Sequence, residues 1–121
     1  MEKRENPVAT KSYGFALSIV KMYKYIINEH KEYVLSKQVL RSGTAIGALI
    51  KEAEHAQSKA DFINKMNIAL KEANETEYWL MLLHDSNYID KNEFTIINEK
   101  CSELIRLLIS IVKTSKQNLY K

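Results

Sequence analysis

The chain has 121 residues, a hydrophobic fraction of 45% and a formal net charge of +3. These values are typical of one small globular domain with a real core, and they exclude a disordered or fibrous chain. The apolar runs last only a few residues, far short of the roughly 20 that span a bilayer, and the N-terminal "MEKRENP" is charged. A single cysteine, Cys101, excludes an internal disulfide. We therefore expect one domain, residues 1–121, in the cytoplasm and with no membrane segment.

The first predicted helix spans about residues 7–30. Asn6 can cap its N-terminus, and Pro7 suits the first helical position. Apolar residues then recur at helical spacing in two neighbouring stripes, Tyr13, Ala16, Leu17, Val20, Tyr23 and Ile27 in one, and Phe15, Ile19, Met22 and Ile26 in the other. Together the stripes form a face wider than one bundle core requires.

The second predicted helix spans about residues 37–56 and contains two glycines, Gly43 and Gly47. Each makes a helix interior less stable than alanine would, by roughly 0.5–1 kcal/mol. Because they are four residues apart, they share one face of the helix. Arg41 and Lys51 bracket them too tightly for a membrane-spanning G-x-x-x-G segment. We therefore predict a close helix crossing in a soluble core, where added dispersion contacts offset the loss.

Capping residues mark the beginning of each later helix. The predicted caps are Ser36 for the second helix, Ser58 with Asp61 for the third, and Asp90 with Glu93 for the fourth. The third and fourth helices are predicted over about residues 59–86 and 91–116. No strand pattern of period two interrupts them. Four helices with short connections predict an all-α, antiparallel up-down four-helix bundle.

Two segments resemble a known family. "LRSGTAIGALIKEA", followed by "DFINKMNIALKEANETEYWL", resembles the four-helix-bundle family named after the 23S rRNA intervening-sequence protein, whose members are often labelled ribosomal proteins. The specific parts are the Arg-Ser-Gly-Thr-Ala-Ile-Gly run at 41–47, Glu52, the region of Phe62, and the run at 69–80. The resemblance extends over nearly the whole chain.

The resemblance implies a small helical bundle encoded in an insertion within a bacterial 23S rRNA gene, or elsewhere in a bacterial genome. A related branch, the accessory variability proteins of diversity-generating retroelements, is similar to a basic homopentameric barrel that partners a reverse transcriptase and nucleic acid. The resemblance therefore implies a homo-oligomer, best estimated at five copies, with RNA or a nucleic-acid enzyme as a further partner. Family membership implies fold more strongly than function.

Interhelical ion pairs are predicted from the hairpin of the second and third helices. If the hairpin turns near Gln57, Arg41 can reach Glu72 or Glu75, and Glu52 can reach Lys65. We favour pairs that fix the register of the two helices. A catalytic or ligand-binding role for these residues is the alternative.

Evidence for a catalytic or metal site is sparse in the sequence. Glu52 and His55 form one E-x-x-H unit, which di-iron bundles use twice, but the second copy is absent. Cys101 is in register with apolar neighbours of the fourth helix, which favours core packing over a nucleophile. The sequence contains no phosphate loop, dinucleotide-binding fingerprint or nucleophile elbow. We expect no enzyme activity, no metal and no cofactor.

Basic residues are concentrated in the first half of the chain. Residues 1–60 hold ten Lys/Arg and six Asp/Glu, whereas the remainder holds eight and nine. Basic side chains among the tyrosines of "KMYKY" could contact phosphates and stack on unpaired bases. The candidate nucleic-acid contacts are Lys21, Lys24, Lys37, Arg41 and Lys51. The alternative is that the tyrosines fill the core or an oligomer interface while the lysines are only solvated.

The sequence thus favours a non-enzymatic, oligomeric helical bundle that acts as a binding or scaffold protein, associated with RNA or a nucleic-acid enzyme. Two other functions stay open at this point. One is a metal-dependent bundle enzyme. The other is a selfish insertion product that has no host function.

Overall fold

The computed structural model describes residues 6–119, so residues 1–5 and 120–121 of the predicted domain lie outside the described part. The described residues form four α-helices, α1 (Pro7–His30), α2 (Leu35–Ala53), α3 (Lys59–Asp85) and α4 (Lys91–Leu119). The all-α four-helix architecture is confirmed. The ends of the helices differ from the predicted ends by no more than three residues.

The helices are arranged so that each one contacts its neighbours in sequence, and α4 returns to contact α1. Short connections make consecutive helices antiparallel. Among residues 6–119, the diagonal pairs α1/α3 and α2/α4 do not approach each other closely. The contact between α1 and α4 is the loosest of the four. Apolar side chains from all four helices form one core cluster.

Three predicted helix caps are present. The side-chain oxygen of Asn6 accepts a hydrogen bond from the N–H of Ala9 at 3.3 Å, which caps α1. The Ser58 hydroxyl accepts from the N–H of Asp61 at 3.0 Å and caps α3. At the beginning of α4, the carboxylate of Asp90 accepts from the N–H of Glu93 at 2.8 Å. Each cap satisfies a backbone donor that has no partner within its helix.

The predicted cap of α2 is wrong. Ser36 is fully buried inside the helix, and its hydroxyl donates to the backbone carbonyl of Glu32 at 2.7 Å. The carboxylate of Glu32 instead accepts hydrogen bonds from the N–H groups of Val34, Leu35 and Ser36, at 2.8–2.9 Å. A glutamate placed before the helix thus reaches forward to bind three free donors. Because the usual capping residues have shorter side chains, the residue type of Glu32 does not mark it as a cap in the sequence.

The environment of Glu32 lowers the pKa of its carboxyl group. Burial raises the pKa of the carboxyl group, but the hydrogen bonds from Leu35, Ser36 and Val34 outweigh that effect and hold the pKa below its ordinary value of 4.5. The charged form is therefore the one that stabilises the beginning of α2. The N-terminal end of the helix dipole favours the same negative charge.

Gly43 marks a close crossing of α2 over α1. A Cβ added to Gly43 would lie 2.9 Å from Cγ1 and 3.0 Å from Cγ2 of Ile19. Ile19 is fully buried, and its β-branched side chain has little rotational freedom. Nothing larger than glycine therefore fits at this position without displacing α1.

The other two glycines do not mark such a crossing. A Cβ on Gly47 would meet Ser12 of α1 at 3.5 Å, an ordinary van der Waals distance. A Cβ on Gly14, in the middle of α1, would have no atom within 4 Å. The close crossing predicted for both glycines of α2 is thus severe only at Gly43.

The surroundings of the three glycines predict that substitution by alanine changes stability in opposite directions. Gly43→Ala should lower the free energy of unfolding by about 1–3 kcal/mol, because its methyl group collides with Ile19. Gly43→Leu should lower it further. Gly14→Ala and Gly47→Ala should raise it by about 0.5–1 kcal/mol, through better helix propensity without a clash. Urea denaturation of the four variants measures these differences, and a stabilising Gly43→Ala would contradict the close crossing.

The Glu32 cap predicts a pH-dependent stability. At neutral pH, Glu32→Gln should lower the free energy of unfolding by about 1 kcal/mol, because the charged acceptor of three N–H groups is lost. A carboxylate with a lowered pKa in the folded state stabilises above its unfolded pKa, and loses this effect as the pH falls through its folded pKa.

The stability difference between the wild type and Glu32→Gln should therefore shrink when the pH is lowered below 4.5. Urea titrations at several pH values measure it. Glu29→Gln, an exposed substitution in the same region, is the matched control and should have little effect. A difference that is constant with pH would show that the charge of Glu32 contributes nothing.

Candidate functional site

Arg41 bridges α2 and α3. One guanidinium nitrogen donates to the carboxylate of Glu72 at 2.7 Å, and the other donates to the carboxylate of Glu75. The structure thus brings Arg41 together with both of its predicted partners. Their hydrogen bonds raise the pKa of Arg41 further above its ordinary value. The guanidinium is half-exposed but engaged on two sides.

Trp79 completes this polar network. Its indole N–H donates to the carboxylate of Glu75 at 3.0 Å, one helical turn away on α3. That hydrogen bond, opposed by burial and assisted by Arg41, lowers the pKa of Glu75. The network therefore places two carboxylates and one indole N–H around a single cation. Such an arrangement holds the two helices in register.

A buried hydrogen bond lies next to the network. The hydroxyls of Ser42 on α2 and Thr76 on α3 are 2.9 Å apart, and both side chains are fully buried. The Thr76 hydroxyl also lies 2.7 Å from the carbonyl oxygen of Glu72. Because an unpaired hydroxyl is unfavourable in a core, this pair fixes how far α3 slides along α2.

The second predicted ion pair is wrong. Within residues 6–119, no ion pair joins Glu52 to Lys65. Glu52 is exposed in the last turn of α2, and its neighbour Ala53 is the residue that packs into the core. An exposed pair gains at most about 1 kcal/mol and must immobilise two long side chains. Spacing along the hairpin placed the two residues near each other, but nothing holds them together.

The candidate nucleic-acid contacts do not form one patch. Four of the five candidates are lysines with exposed side chains, Lys21, Lys24, Lys37 and Lys51. Lys21 lies at a groove between α1 and α4, whereas Lys51 lies at a groove between α1 and α2. Arg41 faces α3 and is occupied by two carboxylates. Of the five candidates, Arg41 is therefore the least available to bind a phosphate.

A groove of about 400 Å³ separates the outer edges of α1 and α2. Small residues line it on both helices, Ala9 and Ala16 on α1, and Gly47 and Ala48 on α2. Tyr13 lies at its rim and is 67% exposed. Sequence reasoning identified the small residues of α2 but missed the groove. The signal that could have revealed it is the alanine pair at matching positions of α1.

Metal and thiol chemistry find little support in the geometry. No group of three His, Cys, Asp or Glu side chains in the described part of the chain could hold a metal ion. His55 lies in the turn after α2, so the E-x-x-H unit with Glu52 does not lie on one continuous helix. Cys101 is fully buried, and burial, assisted by Glu77, raises the pKa of its thiol to about 12. That thiol is not a reactive nucleophile.

The part of the chain from residue 6 to residue 119 contains no helix that is both long enough and apolar enough to cross a membrane.

Comparison with known proteins identifies relatives of the chain. A comparison with curated protein sequences finds no match. A solved structure similar to this chain is that of a protein of unknown function from the S23 ribosomal protein family of Bacteroides thetaiotaomicron VPI-5482. The two share 61% sequence identity with a TM-score of 0.87, over 88% of this chain and 98% of that one. The family model described as 23S rRNA-intervening sequence protein matches residues 4–110. The chain therefore belongs to the 23S rRNA-intervening sequence protein family.

Proposed function

We propose that the protein is a non-catalytic, cytoplasmic scaffold that associates with copies of itself through α1 and binds RNA. The observation that carries this proposal is the composition of the outer surface of α1. In its first half, two large apolar side chains, Tyr13 and Leu17, are 67% and 56% exposed. Exposed apolar side chains one turn apart on a helix are typical of an interface. Tyr13 lines the groove of about 400 Å³ between α1 and α2.

Association between copies requires an extensive surface on each partner. A stable interface buries on the order of 800 Å² per partner. The exposed apolar side chains of α1 and the small-residue groove that Tyr13 lines supply a projecting part and a recess for such an interface. The family resemblance favours five copies. In such an assembly the net charge of +3 per chain is multiplied by the number of copies, so a weakly basic protomer gives a strongly basic particle.

The second half of α1 supplies exposed cations. Lys21 and Lys24 are exposed, and no ion pair in the described part of the chain involves either of them. From Pro7 to Asn28 the helix contains no acidic residue. Exposed lysines that take part in no ion pair attract phosphates. The family is named after an intervening sequence of 23S rRNA, so RNA is the nucleic acid that we test first.

The alternatives make different predictions. A metal-dependent enzyme would carry stoichiometric iron, manganese or zinc after purification, which elemental analysis detects. A selfish insertion product without a function would bind no RNA. Both alternatives are therefore decided by measurements on the purified protein.

Self-association predicts a mass near five times the chain mass of 14.0 kDa in light scattering. Leu17→Glu should lower that mass while leaving the helical content unchanged, because the side chain is exposed in the monomer and a charge is unfavourable inside an interface. Ile109→Glu is the matched control, since Ile109 is similarly exposed on α4. A wild-type mass of one chain at all concentrations would contradict the proposal, as would equal effects of the two substitutions.

RNA binding predicts a strong dependence on salt. With labelled single-stranded and structured RNA, the logarithm of affinity should fall linearly with the logarithm of salt concentration, with a slope of about −0.7 to −0.9 per phosphate neutralised. The double variant Lys21→Glu and Lys24→Glu should bind more weakly and with a shallower slope.

Lys113→Glu with Lys116→Glu is the control, because it makes the same change of charge on exposed residues of α4. If both double variants lose affinity equally, net charge rather than the face of α1 determines binding. Absence of binding at low salt would leave the scaffold without an RNA partner.

A further inference from the structure

Besides the groove between α1 and α2, the structure has grooves along the loose contact between α1 and α4. A groove of about 360 Å³ runs along this contact, from the side of Tyr25 to that of Lys100. A smaller groove of about 220 Å³ continues on the other side of Lys100, beside Gly14. From Gly14 to Tyr25 the two grooves extend over about 16 Å, or three helical turns. We call them together the α1–α4 trough.

The trough has an apolar base. Phe15 and Met22 of α1 and Ile97 of α4 line it, and all three are almost completely buried. At its rim, Tyr25 and Ile96 are 44% and 52% exposed. A base of buried apolar groups with apolar side chains left in water at the rim is the arrangement that a binding partner covers.

The charges at the rim are not balanced within the chain. Lys21 lies on the α1 side and Lys100 on the α4 side, and neither takes part in an ion pair in the described part of the chain. The acidic residue next to Lys100, Glu103, is already paired with Lys11 at 3.0 Å. Glu93 lies at the Tyr25 end of the trough. The trough therefore presents two unpaired cations along its middle and one carboxylate near one end.

Gly14 provides an independent observation. It is exposed in the middle of α1, where glycine lowers helix stability by roughly 0.5–1 kcal/mol relative to alanine. Packing within the chain does not explain it, because a Cβ at this position would have no atom within 4 Å. Glycine on an exposed helix surface allows a second backbone to approach closely, and the dispersion attraction between the two backbones offsets the loss of helix stability.

We infer that the α1–α4 trough binds an amphipathic helix of a partner protein, whose apolar stripe is flanked by carboxylates. A small ligand normally buries most of its surface, which a trough open along one side does not allow. A helix lays its apolar face into such a groove and keeps its polar face in water. The carboxylates of the partner face Lys21 and Lys100, and a cation near Glu93 sets its direction. This inference does not depend on the self-association proposed for the other side of α1.

A synthetic helix tests the inference. The probe is a fluorescein-labelled peptide of about 18 residues, with leucines at positions i, i+3 and i+7 and glutamates on both flanks. The control peptide has lysines in place of the glutamates. In fluorescence anisotropy, the glutamate peptide should bind at least about tenfold more tightly than the lysine peptide. The double variant Lys21→Glu and Lys100→Glu should reverse that preference.

Gly14→Leu should weaken binding of the glutamate peptide at least about tenfold, because the leucine fills the trough. Its circular dichroism should match the wild type, since the position is open. Ser110→Leu, which adds a leucine at an exposed position of α4 outside the trough, is the matched control and should leave peptide binding unchanged. Failure of the glutamate peptide to bind, or equal binding to Gly14→Leu, would overturn the inference. If light scattering instead gives the Gly14→Leu protein a lower mass than the wild type, a second copy covers the trough and the inference is wrong.

Discussion

The contact between Gly43 of α2 and Ile19 of α1 sets the geometry on which the rest of the bundle depends. At this point the backbone of α2 lies against the side chain of Ile19, with no room for a single added methyl group. Because Ile19 is stiff and fully buried, α1 and α2 have one closest approach and cannot slide along each other. One turn later, Gly47 lies over Ser12 at an ordinary distance. The groove between the two helices therefore begins where the tight contact ends.

Three consecutive residues of α2 connect that crossing to α3. Arg41 pairs with two carboxylates of α3 at the surface, Ser42 is hydrogen-bonded to Thr76 in the core, and Gly43 packs on α1. Successive residues of a helix point in directions about 100° apart, so one short run can contact two neighbouring helices. A one-residue shift of α2 would bring the arginine into the core and the glycine away from Ile19. This dependence gives a physical reason for the Arg-Ser-Gly run that also carries the family resemblance.

Features governed by local sequence were predicted well. The count of helices follows from apolar periodicity, and the caps at Asn6, Ser58 and Asp90 follow from short side chains that bond three residues ahead. The α2 cap could not be predicted in the same way, because Glu32 acts through a longer side chain from outside the helix.

Features that depend on the relative positions of helices were predicted only in part. The position of Arg41 opposite Glu72 and Glu75 follows from counting along the hairpin, since three long side chains tolerate an error of one residue. The same counting fails for Glu52 and Lys65, where solvent competes for both charges. The two grooves beside α1 could not be derived at all. They depend on how far apart the helices lie, and the sequence shows only that small residues occur along the groove between α1 and α2.

The three glycines are explained at two different levels of structure. Gly43 is explained within the monomer, because any side chain at this position would collide with Ile19. Gly14 lowers the stability of α1 without any compensating contact in the chain, whereas Gly47 lies at an ordinary van der Waals distance from Ser12. Each of the two borders one of the grooves that flank α1. A side chain at either position would narrow a groove rather than disturb the core. The surfaces beside these two positions are therefore the ones to which we assign the proposed contacts with other molecules, since a side chain there would meet a partner before it met the core.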